Sequence, residues 1–204
     1  VLIQTTMGAV AVTEQGIINE AHRRGMVVPD RVRREPGSDP AAGAYVAYPK
    51  KGLQDWIGSI DINSLYPSVI RALNMAPETI VGQLRQTITE EEIERRMTME
   101  KKSFAGAWEG EFGSFEYQAV MRKDRAQSIT IDWETGESNI LSAAEVYELI
   151  FNSDQPWFLS ANGTIFTHEF AGVIPGLLER WYAERKELQA KKKKAIDANN
   201  AVET

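Results

Sequence analysis

Asp61, Ser64, Leu65 and Tyr66 stand within six consecutive residues, Asp61-Ile-Asn-Ser-Leu-Tyr66. A carboxylate at the end of an apolar run can hold a hard cation such as Mg²⁺. The backbone N–H groups that follow lie at a turn and a helix start, where they can receive phosphate oxygens. Tyr66 stands beside them as a flat, rigid wall. A metal ligand, a phosphate cradle and an aromatic wall together fit a nucleoside triphosphate. The ordinary alternative is plain: a lone Asp before a turn is commonly a cap or a solvated residue.

A second set lies far along the chain. Arg185, Gln189 and Lys192 fall at i, i+4 and i+7, so they share one helix face. A guanidinium there suits bidentate phosphate contact. The run Lys191 to Lys194 also has an ordinary reading, a solvated helix end favoured by the macrodipole.

Elements must position these residues. Ile57, Ile60 and Ile62 predict a strand over 56–62 that ends on the carboxylate, with Asp61 on the face opposite Ile60 and Ile62. Ser64 is the expected N-cap and Pro67 suits the first helical turn. Val69, Ile70 and Leu73 predict a helix near 67–74, and Pro77 stops it. Before this, Ile17, Ile18 and Ala21 predict a helix near 12–24, and residues 30–42 read as an exposed loop rich in Pro, Gly, Asp and Arg.

After it, Thr89-Glu-Glu-Glu92 reads as a capping box opening a helix to about Lys101. Phe112–Met121 and Ser128–Trp133 alternate as strands do, Glu134-Thr-Gly136 reads as a turn, and Ile140-Leu141 pairs back. Ser142-Ala-Ala-Glu145 is a second capping box, opening a helix to about Phe151. Ala161-Asn-Gly163 marks a hairpin between Trp157 and Phe166. Ile174, Leu177, Leu178, Trp181 and Leu188 form the apolar stripe of a last helix.

With 204 residues, the chain is long enough for one or two domains and an ordinary core. It has no Cys, so disulfides and thiolate metal sites are excluded, and with 2 His a His-rich zinc site is disfavoured. The net charge of −6 speaks against strong autonomous DNA binding. The charge is uneven. Arg23, Arg24, Arg31, Arg33 and Arg34 cluster early, Arg185, Lys186 and Lys191–Lys194 late, and the stretch from Glu90 to Glu116 is acidic. Basic ends flanking an acidic middle could track a phosphate backbone. No run of 18 apolar residues exists to form a transmembrane helix, and no signal-peptide pattern is present. A start at Val1 and an end just past a charged helix are read as the cut ends of a longer protein.

Asp61-Ile-Asn-Ser-Leu-Tyr-Pro-Ser68 resembles the first palm motif of family B DNA polymerases, D-x-x-S-L-Y-P-S. The continuation Val69-Ile-Arg-Ala-Leu-Asn-Met-Ala-Pro-Glu-Thr-Ile80 is similar to the replicative polymerases of T-even-like phages. Gly43-Ala-Tyr-Val46, followed by Pro49, resembles the segment that precedes this motif in the family. Ile174-Pro-Gly-Leu-Leu178 and Arg180-Trp-Tyr-Ala-Glu-Arg-Lys186 look like the first fingers helix.

The resemblance implies roles. Asp61 would bind both catalytic metals and Ile62 would lend its backbone carbonyl. Ser64 and Leu65 would offer N–H groups to the triphosphate, and Tyr66 would pack under the sugar and exclude a 2′-hydroxyl. Arg185 takes the position of the fingers Arg. The family's Lys four residues later is Gln189 here, which leaves the second phosphate contact to Lys191 or Lys192.

What the resemblance lacks is equally informative. Two-metal transfer takes a second carboxylate, which the family supplies from a Y-G-D-T-D-S hairpin; that motif, the second fingers helix K-x-x-x-N-S-x-Y-G and the exonuclease signatures are absent. The expected fold is α+β. It comprises an N-terminal segment 1–42, a palm portion 43–84 with the first motif, an α+β insert 85–157, and a palm return with the first fingers helix 158–204. The expected function is part of a DNA-directed DNA polymerase, inactive alone, with Mg²⁺, primer–template DNA, deoxynucleotides and the remainder of the polymerase as partners. A sliding clamp is a further candidate partner and a membrane is not. The expected location is the cytoplasm of a phage-infected bacterium. The rival reading is a non-catalytic split subunit or remnant that binds DNA or a replication protein.

Overall fold

Five short antiparallel strands and a set of helices make up the chain in a computed structural model that describes residues 8–30 and 48–202. The loop expected beyond Asp30, the arginines 31, 33 and 34, and Gly43-Ala-Tyr-Val46 lie outside the described residues.

The sheet is built around β1 (Ile80–Leu84). β2 (Ser128–Trp133) and β3 (Ser138–Ser142) add on one side, β5 (Thr164–Thr167) and β4 (Trp157–Leu159) on the other, giving the order β3-β2-β1-β5-β4. Every pairing is antiparallel. Both hairpin turns fall where the sequence places them. Gly136 takes φ 87° between β2 and β3, and Gly163 takes φ 85° between β4 and β5, a conformation that glycine adopts without steric cost. β2 and β3 come from the 85–157 segment, β1 from before it and β4 and β5 from its end or beyond, so the segment's strands continue one sheet.

One face of this sheet is closed by two helices, α5 (Phe115–Met121) and α6 (Ala143–Phe151). Leu84, Ile129, Ile131 and Ile165 from the strands meet Val120, Val146 and Ile150 from the helices, all buried. Full burial of an aliphatic side chain is worth about 1.5–3 kcal/mol, so this cluster is the main apolar anchor. The Ser142–Glu145 capping box opens α6 as expected, with Glu145 N–H donating to Ser142 Oγ at 3.3 Å and Ser142 N–H to Glu145 Oε2 at 2.8 Å.

Two expectations fail in this region. Residues 115–121 are helical, not a strand. Ser114 caps the helix, accepting from Tyr117 N–H at 3.1 Å, and Glu116, Ala119 and Val120 then share a buried face at i, i+3 and i+4. Thr89 opens no capping box. α3 (Thr87–Met99) begins earlier, and its N-terminus is capped from another helix: the buried Glu116 carboxylate accepts from Ile88 N–H at 2.8 Å and Thr89 N–H at 3.2 Å. Thr89 Oγ donates to the same carboxylate and accepts from Phe115 N–H at 2.8 Å. A buried carboxylate aimed at orphan N–H groups outbids the local Glu92. α4 (Phe104–Ala107) is a single capped turn after it.

The remaining helices pack separately from the sheet core. α7 (Val173–Val202) is the spine, and α1 (Ala9–Arg23) and α2 (Leu65–Ala72) both lie against it. α1 approaches closely because Gly16 has no side chain; a Cβ there would come within 2.8 Å of the Trp181 ring. Leu177 is buried in this packing, but Leu188, expected on the same stripe, is 64% exposed. Among the described residues no helix is long and apolar enough to cross a membrane.

Candidate functional site

The chain enters the site from an open segment. Residues 51–62 form no strand and all are exposed, with Ile57 at 77% and Ile60 at 97%, and Trp56 takes φ 60°. The strand expected over 56–62 is therefore absent, because a strand needs a neighbour to take its backbone hydrogen bonds and no described strand lies beside it. Asp61 and Ile62 sit exposed at its end.

The turn into α2 is made by Ser64, in the left-handed region at φ 54°, ψ 51°. Ser64 holds the N-cap position as expected, but its hydroxyl makes no capping bond. Its carbonyl accepts from Ser68 N–H at 2.9 Å. The first N–H groups of a helix have no intrahelical acceptor, and Pro67 has none to offer, so those of Leu65 and Tyr66 are the donors at this end. Leu65 is 46% and Tyr66 68% exposed.

Arg71 joins this helix to the spine. Its Nη2 donates to Glu179 at 3.0 Å and its guanidinium lies 5.3 Å from the Tyr182 ring centre, with Lys186 Nζ 4.6 Å from the same ring. Further on, the buried Asn74 donates to the carbonyls of Thr167 at 2.7 Å and Phe170 at 2.8 Å, and accepts from Gly172 N–H at 2.9 Å. Asn74 thus meets the start of α7 while Arg71 meets its second and third turns, so α2 runs antiparallel to α7. About one and a half turns back along α2 lies Tyr66, and about as far forward along α7 lies Arg185. The two predicted groups of residues are directed to the same end of the helix pair.

Arg185, Gln189 and Lys192 do share a face. With Trp181, Leu188 and the Glu184 carboxylate they line an open groove of about 350 Å³ along α7. Lys191 is engaged elsewhere, paired with Glu187 at 2.7 Å. Of the two lysines that could stand in for the missing contact, Lys192 is the one that faces the groove.

Residues 4–203 match the family model of DNA polymerase family B. The chain belongs to that family. Over 69 residues it is 41% identical to the DNA-directed DNA polymerase of Enterobacteria phage T4, covering 34% of this chain and 8% of that protein. It is 32% identical over 83 residues to the counterpart from Escherichia phage RB69, covering 41% and 9%, and 40% identical over 68 residues to DNA polymerase 2 of Aeropyrum pernix, covering 33% and 8%. The matches thus span less than a tenth of each relative. No solved structure matches the chain.

Catalysis by family B polymerases draws on divalent metals. Asp61 is exposed ahead of α2, and among the described residues no group of three or more acidic or histidine side chains could hold a metal ion. The residues in place do not by themselves fit a metal pair.

Several positioning residues escaped the sequence reading. Asn74 and Arg71 act through partners about a hundred residues away. Glu78 caps the spine, accepting from Val173 N–H at 2.5 Å. Glu20, buried on α1, binds Arg23 at 2.6 Å, Arg24 at 2.9 Å and Arg180 of α7 at 3.3 Å. Hydrogen bonds from Arg23 and then Arg24 pull its carboxyl down from its ordinary 4.5 to about 2, against the opposing effect of burial. A group whose pKa falls on folding stabilises the fold above its unfolded value and loses that contribution as pH drops toward the folded one. The urea midpoint should therefore fall as pH goes from about 4.5 toward 2. Glu20→Gln should lower the midpoint at neutral pH and flatten that dependence, and an unaltered acid limb in the variant would refute the assignment.

Proposed function

We propose that this chain is the part of a family B DNA polymerase that holds the incoming nucleotide, and that the complete enzyme adds deoxynucleotides to a primer 3′ end. The observation that carries the reading is the antiparallel packing of α2 on α7. It directs the turn from Asp61 to Tyr66 and the face carrying Arg185 toward the same end of the helix pair. In this reading the N–H groups of Leu65 and Tyr66 and the Arg185 guanidinium hold the triphosphate from two sides, with Lys192 in place of the family's lysine at Gln189. Asp61, with the Ile62 carbonyl, contributes to a Mg²⁺ site that another segment of the polymerase completes. Primer–template DNA and a deoxynucleotide are the substrates, and a sliding clamp is a candidate partner.

The test is direct. The 204-residue chain, given primer–template, deoxynucleotides and Mg²⁺, should not extend the primer; extension would overturn the division of the site between segments. In the complete enzyme, Tyr66→Ala should reduce the preference for deoxy- over ribonucleotides about tenfold or more, since one excluded hydroxyl is worth roughly 1–3 kcal/mol in a fitted site. An unchanged incorporation ratio would remove Tyr66 from this role.

A second reading is favoured by the lack of a three-ligand metal cluster among the described residues and by the net charge of −6. The chain would then be a non-catalytic subunit that binds DNA or a replication protein. Affinity for primer–template with and without nucleotide separates the two, because only the first reading has nucleotide tighten the complex.

A further inference from the structure

The sheet ends in a second groove that the nucleotide site does not use. Trp133 closes β2 opposite Gly82 of β1. A Cβ on Gly82 would lie 2.9 Å from Trp133 Cε3, so the missing side chain is what lets the indole lie down across β1. Its Nε1 donates to Asn139 at 2.6 Å, which sets its orientation. Trp157, at the start of β4, meets it from the other side with ring centres 5.4 Å apart and planes at 44°. Ile80 and Val81 complete the floor, Glu134 and Glu137 form the rim, and the groove holds about 380 Å³.

The nearby Asp132 is held by Arg85 at 2.6 Å. Glu134 and Glu137 pair with no cation among the described residues, and both are exposed. Two indoles beside two unpaired carboxylates offer a cation the ring face and the counter-charge together. Such a cation is held within about 6 Å of the ring centre, and Trp is the strongest ring. Desolvated tryptophans also anchor protein interfaces. The same carboxylates repel phosphate.

We infer that this groove docks a basic peptide segment of another protein, taking an arginine side chain over Trp133 and Trp157 with its guanidinium on Glu134 and Glu137. Apolar neighbours of that arginine rest on Ile80 and Val81.

The probe is the peptide acetyl-Leu-Arg-Leu-Arg-Leu-amide, with a counterpart in which citrulline, a neutral isostere, replaces both arginines. Binding is followed on the indole N–H resonances of Trp133 and Trp157. The arginine peptide should shift both saturably, and the citrulline peptide should bind at least tenfold more weakly. Glu134→Gln with Glu137→Gln, exposed and so harmless to the fold, should cost at least tenfold; Trp157→Ala should also weaken binding. No shift with the arginine peptide, equal binding of the citrulline peptide, or full affinity in the double glutamine variant would each overturn the proposal. So would a single-stranded oligonucleotide that moves the same resonances. A concentration-dependent shift without peptide, lost when Lys191–Lys194 are replaced by Gln, would assign the groove to a second copy of this chain instead.

Discussion

Asp61→Asn, made in the complete polymerase, is expected to lower primer extension by about a thousandfold or more while leaving primer–template affinity within about twofold. Asn keeps the shape of the side chain and removes its charge. A ligand to catalytic Mg²⁺ acts on the developing charge of phosphoryl transfer, where a metal is worth several kcal/mol; about 4 kcal/mol is a factor of a thousand in rate. Asp61 is exposed in this chain and takes part in no packing, so stability should move by no more than about 0.5 kcal/mol, as for ordinary surface changes. This separates the metal role from a structural one. Extension within tenfold of the parent would rule out Asp61 as a shared metal ligand. A parallel loss of stability would point to a capping role at the turn before α2.

The parts of the fold legible in the sequence are those whose signals are local. The Ser142–Glu145 box, the turns at Gly136 and Gly163 and the helical spacing around Ile17 each depend on neighbours within a few residues, and the structure has all of them. Failures occur where the deciding partner is distant. Thr89 loses its box to Glu116, a residue 27 positions away. The apolar stretch at 56–62 has a strand's composition and no described strand beside it, so its pattern stays unused.

The candidate site divides the same way. Asp61, Tyr66 and Arg185 are visible by type and spacing. Arg71 and Glu20 on their helices and Asn74 in the turn after α2, which set how α2 and α1 sit on α7, are ordinary polar residues in an apolar sequence pattern. Only the folded chain shows that Arg71 reaches Glu179 and that Glu20 reaches Arg180.

Asn74→Ala is expected to cost about 3–5 kcal/mol of stability, most of the margin of a typical domain. Three backbone groups depend on this side chain: the buried carbonyl of Thr167 and N–H of Gly172, and the part-buried carbonyl of Phe170. Each buried group left unpaired costs about 1–3 kcal/mol, less where water enters. The residue also sits at φ 53°, where Asn is tolerated and Ala is disfavoured by roughly 1 kcal/mol. Asn74→Gly divides the two effects, since it removes the hydrogen bonds but suits the backbone, and it should be about 1 kcal/mol less damaging than Ala. Urea unfolding of the three proteins measures both differences, and an Ala variant within about 1 kcal/mol of the parent would sink the argument. The functional consequence follows from position. Asn74 ties the end of α2 to the start of α7, so its loss frees the motif helix to slide on the spine. In the complete enzyme, Asn74→Gly should then raise the KM for the nucleotide more than it lowers kcat, because Tyr66 and Arg185 no longer keep a common register around the triphosphate.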